Sequence, residues 1–232
     1  MYKIGIYKGT DIMSELICTN YSILLVMSRF GISLGFADKT IDNVCKDNNV
    51  DTATFLAVVN LLNNEEGVAE DEDIQSLSLK SLVNYLRSSH SYFLEFRLPQ
   101  IRKNLINALD CESNNLSPVI IRYFDEYAHE VHKHMCYEED NIFPYIDEII
   151  ECNISGKYNI EIFSKVHDNI ESKLDELKDI IIKYYPAKTS NELNAVLFDI
   201  FSCSQELASH NIVEDSLLIP AIRIAESSLG LN

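Results

Sequence analysis

The chain has 232 residues, enough for one large domain or for a medium domain with a small companion. Hydrophobic residues make up 47% and charged residues 24%, which is a globular composition and excludes a disordered chain. The formal net charge of −17 repels phosphate backbones and anionic membrane surfaces, so we expect neither a nucleic-acid nor a membrane partner. With only 5 Pro and 7 Gly, the sequence favours long helices over many short strands.

The N-terminal sequence predicts a cytoplasmic protein. Residues 1–16 contain neither a long apolar region nor a small-residue cleavage site, so we expect no signal peptide. The most apolar early run, residues 21–36, is interrupted by Arg29 and is too short to span a bilayer. The cysteines are scattered without a C-x-x-C motif, and we expect them to be reduced and packed as small apolar residues; they are Cys18, Cys45, Cys111, Cys136, Cys152 and Cys203.

Residues 1–63 are predicted to form a small helical N-terminal domain. An amphipathic stretch runs from about Asp11 to Arg29, and a turn-like segment follows it. Asp51 is a candidate N-cap for the helix that begins at Thr52. Residues 64–75 are acidic and polar, which predicts a linker.

Residues 76–232 are predicted to form four long helices. Apolar residues recur at intervals of three and four in the first helix, where Pro99 should cause a kink or a break. Short connections between long helices indicate an all-α protein with an antiparallel up-down four-helix bundle. The predicted helices are about 77–109, Ser117 to about Glu151, about Ile160 to Tyr185 before Pro186, and a helix capped by Thr189 and Glu192 that ends near Ser227.

Two similar motifs lie on the second and fourth predicted helices. His134 and Glu138 are four residues apart in HMCYEEDNIFP, and His210 and Glu214 are four apart in HNIVEDSLLIP. Residues at this spacing share one helix face, so each pair can aim at one point. Both pairs have apolar neighbours, and in both a proline follows six residues after the Glu, which argues against a chance occurrence.

The remaining histidines extend this pattern. His90 lies 44 residues before His134, and His167 lies 43 residues before His210, so each of the four helices carries one histidine of the set. We therefore predict a shared metal site, whose ligands are His90, His134, Glu138, His167, His210 and Glu214. His129 and His132 have no counterparts in the second half, and we expect them on the surface or behind a ligand.

Six nitrogen and oxygen ligands are too many for one tetrahedral zinc ion and suit two ions of Fe, Mn or Zn. With two bridging Glu, two His per ion and an oxide or hydroxide bridge, each ion would keep an open position. Two iron ions would then form a redox-active, ligand-accepting site. The Glu-x-x-His form of ferritin-type sites occurs once, at Glu126 and His129, and has no partner.

At these residues the chain resembles the hemerythrin-like superfamily and, more narrowly, the RIC (repair of iron centres) proteins. The motifs YLRSSH, HMCYEEDNIFP, KVHDNI and ASHNIVEDSLLIP carry the resemblance over about residues 80–222. It implies a non-haem di-iron centre held by the six predicted ligands, with Glu138 and Glu214 as bridges. Oxygen-carrying hemerythrins usually have a fifth His where this chain has Glu171, which favours the four-His site of the repair proteins.

Residues 15–51 more weakly resemble the small N-terminal domain of the RIC proteins. That domain typically has two adjacent cysteines in the loop after its first helix. The corresponding loop here, GISLGFADKT, has none, so the resemblance implies no thiol chemistry for this part of the chain.

The resemblance implies repair or protection of iron–sulfur clusters under nitrosative or oxidative stress. A protein of this kind would act through redox cycling, iron donation, or binding and reduction of NO. Its partners would be damaged iron–sulfur proteins, NO and O2. Two alternatives stay open. One is a hemerythrin-like protein that binds or senses O2 or NO without turnover, and the other is a helical interaction module that has lost its metal. Whether the activity is enzymatic is also left open.

Overall fold

A computed structural model describes residues 6–63, 74–110, 114–153, 160, 170–186 and 191–230. Regular structure in these residues is helical, and the isolated β-bridge between Ile12 and Thr40 is the one extended pairing among them. The predicted all-α class is therefore confirmed. No helix in the described ranges is long and apolar enough to cross a bilayer.

The helices follow one another in chain order, and three short π-helical turns interrupt them. The bounds are α1 Met13–Thr19, α2 Ile23–Arg29, α3 Ile41–Asp47, α4 Thr52–Asn63, α5 Leu79–Ser91, π1 Tyr92–Arg97, α6 Leu98–Ala108, α7 Ser117–Tyr137, π2 Glu138–Ile142, α8 Phe143–Ile150, α9 Ile170–Tyr184, α10 Asn191–Val213, π3 Glu214–Leu218 and α11 Ile219–Ser228.

The amphipathic stretch predicted from Asp11 to Arg29 is two helices, α1 and α2. Asn20 interrupts it, because its side-chain oxygen accepts hydrogen bonds from the backbone N–H and the hydroxyl of Ser22, at 3.1 and 2.6 Å. This local bonding competes with a continuous helix. The predicted cap of α4 is confirmed, since Asp51 Oδ1 accepts the backbone N–H of Thr54 at 2.8 Å.

The long helices begin and end close to their predicted bounds where the structure describes them. The second predicted helix starts at Ser117, has Pro118 in its first turn and ends at Ile150. The third ends at Tyr184, before Pro186, and its first part lies outside the described residues. The fourth starts at Asn191, and Thr189 of the predicted capping box is also outside them.

A proline follows each π-helical turn, with one residue between the turn and the proline. Pro99, Pro144 and Pro220 are each the second residue of the α-helix that follows the turn. Proline has no N–H to donate, and its ring would clash with the carbonyl four residues earlier in an α-helix. The wider π-helical turn moves that carbonyl away, so the helix continues with one extra residue and does not break.

The chain divides into two compact units, of which the first comprises residues 1–89, 143–164 and 212–232. In this unit the ring of Phe30 packs against Phe55 of α4 and Tyr85 of α5, with centroids 5.4 and 4.9 Å apart. The buried guanidinium of Arg29 donates to the hydroxyl of Tyr85 at 3.4 Å. Elsewhere in the unit, Tyr145 of α8 donates its hydroxyl to Glu226 of α11 at 2.5 Å.

The second unit comprises residues 90–142 and 165–211, and α6, α7, α9 and α10 form a helical bundle within it. All four of these helices contribute side chains to its buried core. On α7 the buried residues recur at intervals of three and four and form a stripe along one face, as in an amphipathic helix. That stripe consists of Ile120, Phe124, Tyr127, Val131 and Met135.

The two units divide the chain at points other than the predicted domain boundaries. The predicted linker, 64–75, lies almost entirely outside the described residues. The division into 1–63, 64–75 and 76–232 therefore stays a prediction.

Candidate metal centre

Two histidines and two glutamates form a buried cluster. His90 is 2% exposed, and Glu138, His210 and Glu214 are 0% exposed. Each offers one ligand atom, and these four atoms all lie within 4.8 Å of one another. The cluster thus brings together four of the six residues predicted from the sequence.

The backbone places these side chains at the ends of α-helices. His90 is in the last turn of α5, and His210 is in the last turn of α10. Glu138 and Glu214 are the first residues of π2 and π3. Both carboxylates therefore occupy the same position relative to a π-helical turn and to the proline behind it. The equal offset between Glu and Pro in the two motifs now has a structural explanation.

The carboxylate of Glu138 lies between two imidazole rings. Its Oε2 is 2.9 Å from Nε2 of His90, and its Oε1 is 2.9 Å from Nε2 of His134. The two oxygens of one carboxylate therefore face two different histidines. A carboxylate that bridges two ions presents its oxygens in the same divided way, with each oxygen beside the histidine ligand of one ion.

Glu139 supports the cluster from behind. Its Oε1 lies 2.9 Å from Nδ1 of His90 and can accept the proton of that nitrogen. The contact turns the ring so that Nε2 faces Glu138, and a carboxylate behind a ligand histidine also raises its basicity. The role of Glu139 was not predicted from the sequence, although an acidic residue does follow the Glu of each motif.

The pKa shifts of His90 and Glu138 show that the cluster stabilises a positive charge next to its carboxylates. Burial lowers the pKa of His90, but its bonds to Glu138 and Glu139 outweigh burial and leave the pKa raised. Burial likewise raises the pKa of Glu138, but hydrogen bonds to His134 and His90 outweigh it and hold the pKa well below its usual range. Glu138 is therefore held in its anionic form, which is the form of a carboxylate that binds a metal ion.

The donor set and its spacing fit metal ions. Imidazole nitrogens and carboxylate oxygens suit Fe, Mn and Zn. At metal–ligand bonds of about 2.0–2.2 Å, neighbouring N and O ligands at a right angle are about 2.9 Å apart, and this is the separation at both contacts of Glu138. Two carboxylates in a fully buried cluster also require compensating cations.

Aromatic rings pack beside the cluster. The rings of His90 and His210 are 5.2 Å apart, and the ring of Phe93 meets His210 edge-on at 6.1 Å. Phe93 is 1% exposed, so it fills space that water would otherwise occupy. A polar cluster with an apolar wall of this kind strengthens every electrostatic interaction inside it.

The remaining predicted ligands, His134 and His167, are not among the four clustered residues. The side chain of His134 is 8% exposed and contacts Glu138, although His134 is not one of the four clustered residues. His167 lies outside the described residues, so its place among the ligands stays a prediction. His129 and His132 are exposed on α7, in agreement with the surface position expected for them.

The helices and the buried cluster define an all-helical metal-binding protein. The family model of the hemerythrin HHE cation binding domain matches residues 81–222, a range that contains all six predicted ligands. The chain belongs to this family. It has no significant match among curated proteins.

Proposed function

We propose that this chain is a non-haem di-iron protein that repairs or protects iron–sulfur clusters under nitrosative or oxidative stress. The observation that carries the proposal is the buried cluster of His90, Glu138, His210 and Glu214, with ligand atoms within 4.8 Å of one another. The motif-level resemblance to the RIC proteins supports the narrower assignment to cluster repair.

The proposed ligand set is His90, His134, Glu138, His167, His210 and Glu214. When bound, two irons would supply one-electron redox chemistry and an exchangeable position for a small ligand. Glu138 suits a bridging role because its two oxygens face two different histidines. Glu139 orients His90, and Phe93 helps to exclude water beside His210.

The burial of the cluster limits what it can bind. Its four clustered residues are at most 2% exposed, so a diatomic molecule such as NO or O2 fits the proposal better than a larger substrate. Damaged iron–sulfur proteins would then receive iron or electrons from this centre. We place this function in the cytoplasm, because the five cysteines among the described residues are free thiols, as a reducing compartment favours.

Metal content tests the ligand assignment. Anaerobically purified protein is expected to hold two irons per chain, whereas His134→Ala and Glu138→Ala are expected to lose most of that iron. Glu138→Ala removes the carboxylate that contacts His90 and His134, and His134→Ala removes one of its two imidazole neighbours. His129→Ala is the matched control, since His129 is exposed on the same helix and should leave the iron content unchanged. Full iron loading in both ligand variants would contradict the assignment.

A second experiment separates repair from gas binding. The reduced protein is mixed with an iron–sulfur dehydratase that has been inactivated by nitric oxide, and the recovery of dehydratase activity is measured. Recovery with the wild type but not with Glu138→Ala supports repair. No recovery, together with a spectrum that changes reversibly with O2 or NO, supports the carrier or sensor alternative. A wild-type protein that contains no metal supports the interaction module.

A further inference from the structure

A second pair of metal-binding side chains lies on the exposed face of α7. His132 is exposed and Cys136 is partly exposed, and they are four residues apart on the helix. Sγ of Cys136 is 3.5 Å from Nδ1 of His132 and 3.9 Å from Nε2. The proposed di-iron function uses neither residue.

This pair is separate from the buried cluster. Two residues along an α-helix correspond to a rotation of about 200°, so His132 and Cys136 face away from His134 and Glu138. The burial agrees, because Glu138 is 0% exposed and the side chain of His134 only 8% exposed. One helix therefore presents two different donor pairs on opposite faces.

We propose that His132 and Cys136 form a bidentate surface site for a thiophilic divalent ion such as Zn2+. Zinc bonds of about 2.05 Å to nitrogen and 2.3 Å to sulfur, at a tetrahedral angle, place these two atoms about 3.6 Å apart. The separation between Nδ1 of His132 and Sγ of Cys136 is 3.5 Å, close to that value. Sγ is also 3.9 Å from Nε2, so it lies beside the ring and not along the Nδ1 lone pair, and the exposed ring of His132 must rotate for both residues to bind one ion.

The chemistry of the two donors selects the ion. A thiolate is a soft ligand and an imidazole is of borderline hardness, and together they favour Zn2+ or Co2+ over Mg2+ or Ca2+. The thiol proton is released to solvent when the metal–sulfur bond forms. Water can occupy the two remaining positions of a tetrahedral ion, because the site is on the surface.

The test uses the full chain with its buried centre loaded with iron. Co2+ is added as a spectroscopic probe, and sulfur-to-cobalt charge-transfer absorption is recorded with Zn2+ as competitor. One cobalt per chain is expected to give this absorption. Cys136→Ser should abolish it, and His132→Ala should weaken cobalt binding at least tenfold. Cys152→Ser is the matched control, since Cys152 is also an exposed free thiol and should leave the absorption unchanged.

Iron content is measured in every sample, so that failure of this proposal is distinguished from failure of the di-iron assignment. Absence of the absorption in the wild type would overturn the surface site, and so would its persistence in Cys136→Ser. Unchanged cobalt affinity in His132→Ala, or loss of the absorption in Cys152→Ser, would overturn it as well. Circular dichroism establishes that each variant is folded, and the wild-type titration decides the question if a variant is not.

Discussion

Glu138 and Glu139 are adjacent acidic residues with different roles. The carboxylate of Glu138 is fully buried between two imidazoles, whereas the side chain of Glu139 is 37% exposed and contacts the far nitrogen of His90. The i,i+4 spacing was sufficient to predict that Glu138 and His134 share one helix face. The contact of Glu139 with His90 could not be predicted, because it depends on how two helices far apart in sequence are placed.

Substitution of Glu139 should weaken metal binding without removing a ligand. In Glu139→Ala, Nδ1 of His90 loses its carboxylate partner, and the ring is no longer held with Nε2 toward Glu138. The loss of such a supporting contact typically costs 10–100-fold in metal affinity. We expect a decrease of about that size in competition with an iron chelator.

Asp140→Ala is the matched control for this measurement, because Asp140 is the next acidic residue and is exposed. Its iron affinity should equal that of the wild type. Equal affinity in Glu139→Ala and in the wild type would mean that His90 is oriented by other contacts.

At the scale of the helix, the prolines were recognised in the sequence but their effect was only partly predicted. Pro99 was expected to kink or break the first helix, and the structure instead contains the π-helical turn π1 before it. Helical periodicity does not readily reveal such a turn, because a shift of one residue is within the ordinary irregularity of an apolar pattern. The available signal was the common offset of Pro144 and Pro220 from the Glu of each motif.

Arg97, the last residue of π1, is bound to α10 through a largely buried network. Its guanidinium donates to Asp199 Oδ1 at 3.0 Å and to Glu206 Oε1 at 3.4 Å, and its side chain is 13% exposed. Asn104 of α6 also donates to Asp199, at 3.3 Å. One cation thus compensates two carboxylates inside the second unit.

Removal of this cation should be strongly destabilising. Arg97→Met would leave the Asp199 and Glu206 carboxylates poorly compensated, and loss of one partner from a buried ion pair costs about 3–5 kcal/mol. Because the side chain of Asp199 is 30% exposed, we expect a loss at or just below the lower limit of that range, about 2–3 kcal/mol, in the free energy of unfolding by urea.

Arg102→Met is the matched control in the same helical segment. Arg102 pairs with Asp125 at 2.6 Å, but its side chain is 48% exposed, so its loss should cost at most about 1 kcal/mol. Similar losses in the two variants would show that the contacts of Arg97 are no stronger than a surface pair.

At the scale of the molecule, the sequence was sufficient to predict an all-α chain, and the family model covers the range in which the ligand motifs lie. Amphipathic periodicity, scarce Pro and Gly and the paired motifs carried that prediction. The two compact units were not predicted, because their boundaries fall inside continuous helices, such as between Ser89 and His90 within α5, where composition does not change.

Buried thiols provide a probe of each unit. Cys45 lies in the first unit and Cys203 in the second, and both are at most 1% exposed. Burial raises the pKa of Cys45 to about 11 and that of Cys203 to about 12. Both groups therefore stay protonated and unreactive at neutral pH unless the unit around them opens.

We expect Cys18 and Cys152 to react rapidly with a thiol reagent at pH 7.5, and Cys45 and Cys203 to react at least a hundredfold more slowly, at rates set by opening. Peptide mass spectrometry of Cys111→Ser protein would assign each rate. Different rates at the two buried thiols would mean that the units open independently, and equal rates would mean that they open together. Rapid labelling of either thiol would contradict its burial.

The π-helical turns also affect how this kind of site can be transplanted into a new scaffold. A His and a Glu four residues apart can be copied onto any straight helix, and the pair will still share a face. The residues after the Glu will not keep their positions around the helix. The turn that begins at Glu138 contains one residue more than an α-helix accommodates, and this residue rotates the following part of the helix by about 100°. An engineer who copies the motif into an ideal bundle must therefore copy the turn and its proline, or redesign every core position downstream.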